Sequence, residues 1–237
     1  MILIKNQYKL FLEGSNITIH YLYEIILPLI SFIILTISCW ITDVDIYLER
    51  LFYDSENEWY LKDHTLFKGL YNQGRYPGIF IFFSSILIYI LSFFFNDLVK
   101  YRGVFSFLII YMAVGPGLII NGILKTYWKR PRPRQIKIFG GKHDFVNVCM
   151  IGDSGRNSSF CCGHASMGFY LIFPYFFLKN IDPLIALFFL VIGILFGLII
   201  GLARMAQGGH FFSDVIWSLG IMYFTGLILY YLMNPLL

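Results

Sequence analysis

The chain has 237 residues, of which 58% are hydrophobic and only 14% are charged. So few charged side chains cannot cover the surface of a soluble globule, and the mean hydropathy of +0.69 excludes disordered, collagenous and coiled-coil chains. The formal charge of +4 comes from 18 basic and 14 acidic residues, which gather beside apolar runs. We therefore expect an integral membrane protein and no nucleic-acid partner.

Apolar runs dominate the chain from its first third onward. Residues 1–20 carry Lys5, Lys9 and Glu13 among apolar residues, a pattern that fits an amphipathic interfacial helix and lacks the apolar core of a signal peptide. Beyond them, six runs are long enough to cross ~30 Å of hydrocarbon as helices. The sequence thus predicts an all-α polytopic membrane protein with one domain over 1–237. The six predicted spans are Glu24–Ile41, Pro77–Phe95, Gly103–Leu124, Ala165–Leu178, Leu184–Leu202 and Phe212–Leu232.

Six crossings place both termini on one side of the membrane and the loops Thr42–Tyr76, Lys125–His164 and Ala203–Phe211 on the other. Most Lys and Arg residues belong to the second side, so the positive-inside rule alone puts the termini outside. Cations that hold an anionic ligand would bias that count. Composition therefore leaves the orientation open. The basic residues on the terminal side are Lys5, Lys9, Lys100, Arg102 and Lys179.

The four cysteines do not define a metal site or a disulfide scaffold. They are too few for the latter, and their spacing lacks the pairs typical of zinc ligands. Cys39 lies in an apolar run and is expected in the core. The others are Cys149, Cys161 and Cys162.

A dense basic cluster follows the third predicted span, in the segment KTYWKRPRPRQIK. Such a cluster has two interpretations. It can bind anionic headgroups as a polybasic patch, with about 1 kcal/mol of attraction per cation near the surface. Alternatively, some of its members form a specific anion pocket. The cluster comprises Lys125, Lys129, Arg130, Arg132, Arg134 and Lys137.

Two further polar segments, SSFCCGHASMGF and ARMAQGGHFFSD, stand at predicted membrane ends on the same side as the cluster. His210 and Asp214 are four residues apart and share one helix face, where the carboxylate can orient the imidazole. Taken alone, this pair also fits a helix cap beside an interfacial histidine. Arg204 precedes His210 by six residues, and the intervening glycines permit a tight return toward one small anion.

His164 supplies a second imidazole at the expected start of the fourth span, directly after Gly163. Backbone donors and the helix dipole at such a position favour an anion. Two imidazoles in different environments can divide the nucleophilic and acid roles near neutral pH. The three segments together predict a phosphomonoester hydrolase that needs no metal.

These motifs resemble the tripartite signature of the type 2 phosphatidic acid phosphatases. Lys125 stands seven residues before Arg132, which Pro133 follows; a Gly-His pair comes next; and Arg204, His210 and Asp214 complete the third motif. Two motifs depart from the family pattern: Cys161 and Cys162 replace the usual Pro-Ser before Gly163, and Ala203 replaces the usual serine before Arg204. A thiol is a weaker hydrogen-bond donor than a hydroxyl, which puts the phosphate contact of Cys162 in doubt.

The resemblance implies a mechanism and a set of roles. His210 would attack phosphorus to form a phosphohistidine, Asp214 would orient it, and His164 would protonate the leaving oxygen. Water would then release phosphate, with no cofactor and no metal. The phosphate-binding residues implied by the family are Lys125, Arg132, Arg204, Cys162 and Gly163.

The whole chain also resembles the bacterial inner-membrane lipid A 1-phosphatases. This narrower resemblance implies an active site on the periplasmic face, cytoplasmic termini, and lipid A with its 1-phosphate as the substrate among the membrane lipids. Undecaprenyl diphosphate and phosphatidylglycerophosphate are the competing substrates, and phosphoryl transfer to another lipid is a competing reaction. From another class, a non-catalytic binder or transporter of anionic lipids uses the same cations. The sequence does not indicate an oligomeric state.

Two loops have further interpretations. Thr42–Tyr76 and Gly140–Ser159 are expected to form a lid or groove for a bulky headgroup, although their aromatic residues Trp59 and Tyr60, with Trp128 nearby, equally fit an interfacial belt. A periplasmic location would permit a disulfide from Cys149 to Cys161 or Cys162, which we do not favour.

Overall fold

The computed structural model describes residues 22–56, 58–155 and 158–234. Regular structure in these ranges is helical, with two isolated β-bridges between extended residues. The all-α prediction is therefore confirmed for the described chain. The interfacial helix predicted for 1–20 lies outside the described residues.

Nine α-helices in the described ranges carry the architecture. In chain order they are α1 (Leu27–Ile41), α2 (Val44–Arg50), α3 (Thr65–Gln73), α4 (Tyr76–Leu91), α5 (Arg102–Met112, continued by Ala113–Leu124 and Lys125–Tyr127), α6 (Gly163–Phe169), α7 (Phe173–Leu178), α8 (Pro183–Met205) and α9 (Phe212–Met233). Shorter turns of π or 3₁₀ geometry are Leu22–Ile26, Asn96–Tyr101, Pro133–Gln135, Lys137–Phe139 and Tyr170–Ile172.

Five segments of the described chain are long and apolar enough to cross a membrane, so the prediction of six spans is not confirmed. The difference lies at the predicted span Ala165–Leu178, which consists of α6, a 3₁₀ turn and α7. Pro174 stands in the first turn of α7, where its missing amide hydrogen interrupts the preceding helix and its fixed φ begins a new one. The five segments are Leu22–Ile41, Thr65–Leu91, Asn96–Tyr127, Pro183–Met205 and Phe212–Met233.

A stripe of glycines on α8 receives this broken segment. Gly193 and Gly197 are four residues apart and share one helix face. A Cβ atom on Gly197 would lie 2.1 Å from the Cδ1 atom of Phe169, and one on Gly193 would lie 2.7 Å from the Cγ2 atom of Ile172. Only glycine permits such close packing, which within lipid supplies much of the attraction between helices.

Replacing Gly197 with leucine is expected to destabilise the fold by about 1–3 kcal/mol or more, because the new side chain overlaps the Phe169 ring. Thermal unfolding of the purified protein in detergent measures the effect as a lower midpoint. Gly69→Leu is the matched control, since a Cβ at residue 69 would have no atom outside its own helix within 4 Å. Equal midpoints for the two variants would contradict the packing role.

The chemistry-bearing motifs meet at one end of the bundle. Helix α5 ends there and α6 begins there, while α8 and α9 are joined at the same end by the short loop 206–211. A small apolar cluster caps this end, and Trp59 in it is 5% exposed. Trp59 packs on Gly208, whose Cβ would lie 2.4 Å from the Cε2 atom of the indole, so it is part of a cap and not an interfacial anchor. The cluster contains Ile46, Trp59, Ile136, Phe139 and Phe211.

Candidate active site

A cavity of about 820 Å³ lies at the capped end of the bundle and is partly open to its surroundings. Five of the predicted site residues line it, although they come from three motifs that are far apart in the sequence. The structure thus brings the three sequence motifs together around one space. These five residues are Lys125, Arg132, His164, Arg204 and His210.

The loop between α8 and α9 aims His210 at this cavity. The amide of Gly208 donates to the carbonyl of Met205 at 2.8 Å, and the amide of Gly209 donates to that of Arg204 at 2.9 Å. Gly208 has a φ of +59°, a conformation that favours glycine. The tight return expected from the sequence is therefore present.

Gly209 also holds the two arginines close to His210. Its carbonyl accepts from Nη1 of Arg132 at 3.2 Å, and a Cβ on Gly209 would lie 2.5 Å from Nη2 of Arg204. Both guanidinium groups are buried. Positive charge is consequently concentrated beside the imidazole, as an anionic ligand requires.

Asp214 lies behind His210 in the first turn of α9. Its Oδ2 atom is 3.7 Å from Nδ1 of His210, which is longer than a hydrogen bond. The same oxygen accepts from the amide of Phe211 at 2.8 Å and from the hydroxyl of Ser159. These contacts hold the carboxylate in place, and a small movement of the ring would complete the His-Asp hydrogen bond.

The environment of His210 favours the neutral imidazole. Burial lowers its pKa well below the ordinary value, Asp214 opposes that shift, and the nearby cations Lys125, Arg132 and Arg204 reinforce it. A neutral ring at pH 7 has a free nitrogen lone pair for attack on phosphorus. Because the pKa is lowered, protonation removes this lone pair only at a pH below the ordinary histidine range.

Tyr71 of α3 connects the second histidine with an arginine, and sequence reasoning missed it. Its ring stacks on His164 with centroids 4.8 Å apart and an interplanar angle of 25°. The guanidinium carbon of Arg204 lies 4.5 Å from the centroid of the same ring. Such stacking and cation–π contacts fix both groups. The sequence indicated only that Thr42–Tyr76 could cover the site.

Cys162 and Gly163 occupy less exposed positions. The Cys162 side chain is fully buried, and burial raises the pKa of its thiol, so it is neutral at pH 7. Neither residue lines the cavity. A Cβ on Gly163 would lie 2.7 Å from Oδ1 of Asn121 and 3.1 Å from Nζ of Lys125. Glycine at this position thus makes room for the lysine, and the direct phosphate contacts of both residues stay predictions.

The described residues contain neither a disulfide bond nor a group of side chains arranged to bind a metal ion. All four cysteines are free, so the structure contains no bond between Cys149 and Cys161 or Cys162. In the described parts of the chain, no group of three or more His, Cys, Asp and Glu side chains is arranged to hold a metal ion.

Arg130 is a further residue that sequence reasoning did not assign. The sequence places it in the basic cluster, but its side chain is fully buried behind the cavity. It donates to Asp214 at 2.6 Å and to Asp45 at 2.8 Å. The available signal was Asp45 itself, an acidic residue just beyond an apolar span, which is costly unless it is paired.

A buried imidazole with a carboxylate behind it, a second imidazole and three cations around one cavity are groups that can bind and stabilise a phosphoryl group in a helical membrane protein. Residues 103–236 match the PAP2 superfamily. The chain therefore belongs to this superfamily, and it is a phosphatase that acts on phosphoric monoesters.

Three curated relatives narrow the comparison. The chain is 34% identical over 195 residues to the lipid A 4′-phosphatase of Francisella tularensis subsp. novicida, a match that covers 81% of this chain and 86% of the relative. It is 33% and 34% identical to the lipid A 4′-phosphatases of Rhizobium leguminosarum and Rhizobium etli, over about half of each chain. No solved structure matches.

Proposed function

We propose that this protein removes the 4′-phosphate of lipid A through a phosphohistidine formed on His210. The proposed reaction is supported by one observation, which is that His210, His164 and three cations line the same cavity. The names of the three relatives support the lipid and the position. The 1-phosphate expected from the sequence is not confirmed and remains the competing position, because the recognised motifs contact the phosphoryl group and not the sugar that carries it.

The proposed reaction has two half-reactions. In the first, Nε2 of His210 forms a bond to phosphorus while the bond from phosphorus to the lipid oxygen breaks, and His164 gives that oxygen a proton. In the second, His164 takes a proton from water, which attacks phosphorus and releases phosphate from His210. Asp214 stabilises the positive imidazole during both steps. The dianionic substrate favours the protonated form of His164 that the first step requires.

Three cations stabilise the charge that spreads over the phosphoryl oxygens. Lys125, Arg132 and Arg204 line the cavity and need no reorganisation when charge develops, which is the largest contribution expected in phosphoryl transfer. Nη1 of Arg204 is held by Gln207. Its buried Nε has no hydrogen-bond partner among the described residues, and the guanidinium has N–H groups beyond the one that Gln207 accepts, which could bind phosphoryl oxygens.

The size of the cavity supports a substrate with a large headgroup. Its volume of about 820 Å³ is in the range that holds ligands much larger than phosphate. Lys62, Lys68 and Arg134 also line it and are exposed, beyond the three buried or partly buried cations. Glu58 and Asp63 line it too, and Glu58 lies 3.9 Å from Lys62, so an anionic sugar headgroup would meet a small excess of positive charge outside the reaction centre.

We also propose that the segment 163–178 crosses the bilayer, which gives six crossings. Helix α8 has 23 residues and is about 34 Å long, and its end at Arg204 lies at the site. The chain therefore passes from Gly163 at the site to Pro183 at the far end through this segment. With the active site on the periplasmic face of a bacterial inner membrane, both termini are cytoplasmic.

A substrate panel assayed in the presence of EDTA tests the function. We expect phosphate release from lipid A with chelator present, and tandem mass spectrometry of the product should show loss of the 4′-phosphate. Loss of the 1-phosphate would move the reaction to the other sugar. Strict metal dependence would contradict the mechanism, and turnover only of undecaprenyl diphosphate or phosphatidylglycerophosphate would contradict the substrate.

The same substrate panel distinguishes a phosphatase from a phosphoryl transferase and from a non-catalytic lipid binder or transporter. A phosphorylated second lipid among the products would indicate phosphoryl transfer, and lipid binding or flux without hydrolysis would indicate a binder or transporter. In sealed vesicles of known orientation, only substrate on the leaflet equivalent to the periplasmic face should be hydrolysed. Hydrolysis from the opposite leaflet would contradict the proposed topology.

A further inference from the structure

The guanidinium group of Arg130 is fully enclosed by hydrogen-bond acceptors and aromatic rings. Nη1 donates to Oδ1 of Asp214 at 2.6 Å and to the hydroxyl of Ser213 at 2.8 Å, while Nε donates to the carbonyl of Val146 at 2.8 Å. Its guanidinium carbon lies 4.4 Å from the ring centroid of Phe211. Burial lowers the pKa of Arg130, but the carboxylates of Asp214 and Asp45 outweigh burial and raise it. Arg130 is therefore permanently charged.

Asp45 binds the far side of this guanidinium. Its Oδ2 accepts from Nη2 of Arg130 at 2.8 Å and from the hydroxyl of Ser213 at 2.5 Å, and its Oδ1 accepts from the amide of Ser213 at 2.9 Å. All of these contacts use Asp45 as an acceptor, as an ionised carboxylate does. Asp45 lies in the first turn of α2, before the residues 103–236 that match the family.

The charges in this chain of contacts alternate behind His210. Asp214 and Arg130 alone would sum to zero, which would weaken the attraction of Asp214 for a positive imidazole. Asp45 restores a net charge of −1 to the group. Glu49 is buried nearby, but burial, Asp45 and Asp214 raise its pKa well above the ordinary value, which favours its uncharged form.

We propose that Asp45 and Arg130 are positioning residues, which fix the carboxylate of Asp214 behind His210 and maintain the negative charge that stabilises the imidazole during phosphoryl transfer. This inference rests on the proposed nucleophilic role of His210. Arg130 sets the direction of the Asp214 carboxylate through Oδ1, leaving Oδ2 for His210, Ser159 and the Phe211 amide.

A double-mutant cycle, in which each substitution removes one charge, tests the proposal. Asp45→Asn changes the net charge of the group from −1 to 0, Arg130→Gln changes it to −2, and the double variant returns it to −1. We expect kcat to fall roughly 10- to 100-fold in each single variant with little change in KM, a loss of the size seen when the carboxylate partners of metal-binding histidines are removed. The double variant should recover part of the lost kcat, because its net charge matches that of the wild type.

The pH profile gives a readout that a merely structural role would not change. His210 faces Asp214, Lys125, Arg132 and Arg204, and its protonation sets the acid limb of the kcat/KM profile. The acid limb should shift to lower pH in Asp45→Asn, where the imidazolium loses stabilisation. It should shift to higher pH in Arg130→Gln and return toward the wild type in the double variant.

Two controls keep the outcomes distinct. Repeating the Asp45→Asn measurement in a Glu49→Gln background prevents ionisation of Glu49 from replacing the lost charge. Glu24→Gln with Lys179→Met removes another buried ion pair, with an N···O distance of 2.5 Å, at the opposite end of the bundle. This double substitution should lower thermal stability but leave the acid limb of the kcat/KM profile unchanged.

Several results would overturn the proposal. These are a wild-type kcat and acid limb in Asp45→Asn, a double variant with lower kcat than either single variant, or losses that follow thermal stability alone. Phosphate release by the wild type is measured first, so failure of the proposed function is recognised independently of any variant. If the wild type turns over and the single variants shift the acid limb in the same direction, only the positioning role fails.

Discussion

Replacing His210 with alanine is expected to reduce kcat by about 10⁴-fold or more, the loss usual when a covalent nucleophile is removed. The cations that line the cavity remain, so binding of the lipid should change little. Phosphate release and lipid binding, measured on the same preparation, separate the two effects. In wild-type protein quenched in alkali, a ³²P-labelled substrate should label the chain, and His210→Ala should remain unlabelled.

His143→Ala is the matched control for this variant. His143 also pairs with a carboxylate, since its Nδ1 lies 3.0 Å from Oδ1 of Asp153, but it does not line the cavity. Its kcat should stay close to that of the wild type. Unchanged phosphate release by His210→Ala would refute the nucleophilic role, and loss of both release and lipid binding would point to a site for binding alone.

Replacing His164 with glutamine is expected to lower kcat for the lipid substrate by about 10²- to 10⁴-fold, because the leaving oxygen then departs without a proton. The loss in the rate of phosphohistidine formation, measured before its slow hydrolysis limits turnover, should depend on the leaving group. With p-nitrophenyl phosphate, whose phenolate leaves readily without a proton, formation of the phosphohistidine should be nearly normal. Its hydrolysis should remain slow, so labelled enzyme should accumulate.

His64→Gln is the corresponding control, since His64 caps α3 through a 3.3 Å contact with the amide of Leu66 and does not line the cavity. It should leave both substrates unaffected. An equal loss of kcat with lipid and p-nitrophenyl phosphate in His164→Gln, without accumulation of labelled enzyme, would contradict the acid–base role.

The sequence predicted the ionisable residues of the site, because their types and spacing within each motif could be recognised. The spacing of His210 and Asp214 predicted that the two side chains lie close together, but the shared helix face was wrong, because His210 lies in the loop 206–211 and only Asp214 lies in α9. The glycine before each histidine allows a close approach of backbone and cation. Lys125, Arg132 and Arg204 were recognisable because charge at a membrane end needs a partner. The structure places all three cations around the same cavity.

The sequence could not predict contacts across distant parts of the chain. Tyr71 and Asp45 reach the site through packing of α2 and α3, which have no signature of their own. Arg130 was one basic residue among several, and only its complete burial distinguishes it from exposed Arg134. The prediction of membrane spans had a different limit, because hydropathy does not show that a segment such as 163–178 is broken into short helices.

Trp59, Tyr71 and Asp45 all come from the part of the chain before residue 103, yet each contacts the reaction centre or the loop that forms it. The superfamily segment 103–236 therefore contains all of the proposed reacting groups without completing their surroundings. Relatives can share the same catalytic motifs and still differ in substrate if their first hundred residues differ. Substrate preference within the superfamily should accordingly be compared over the residues that precede the signature motifs.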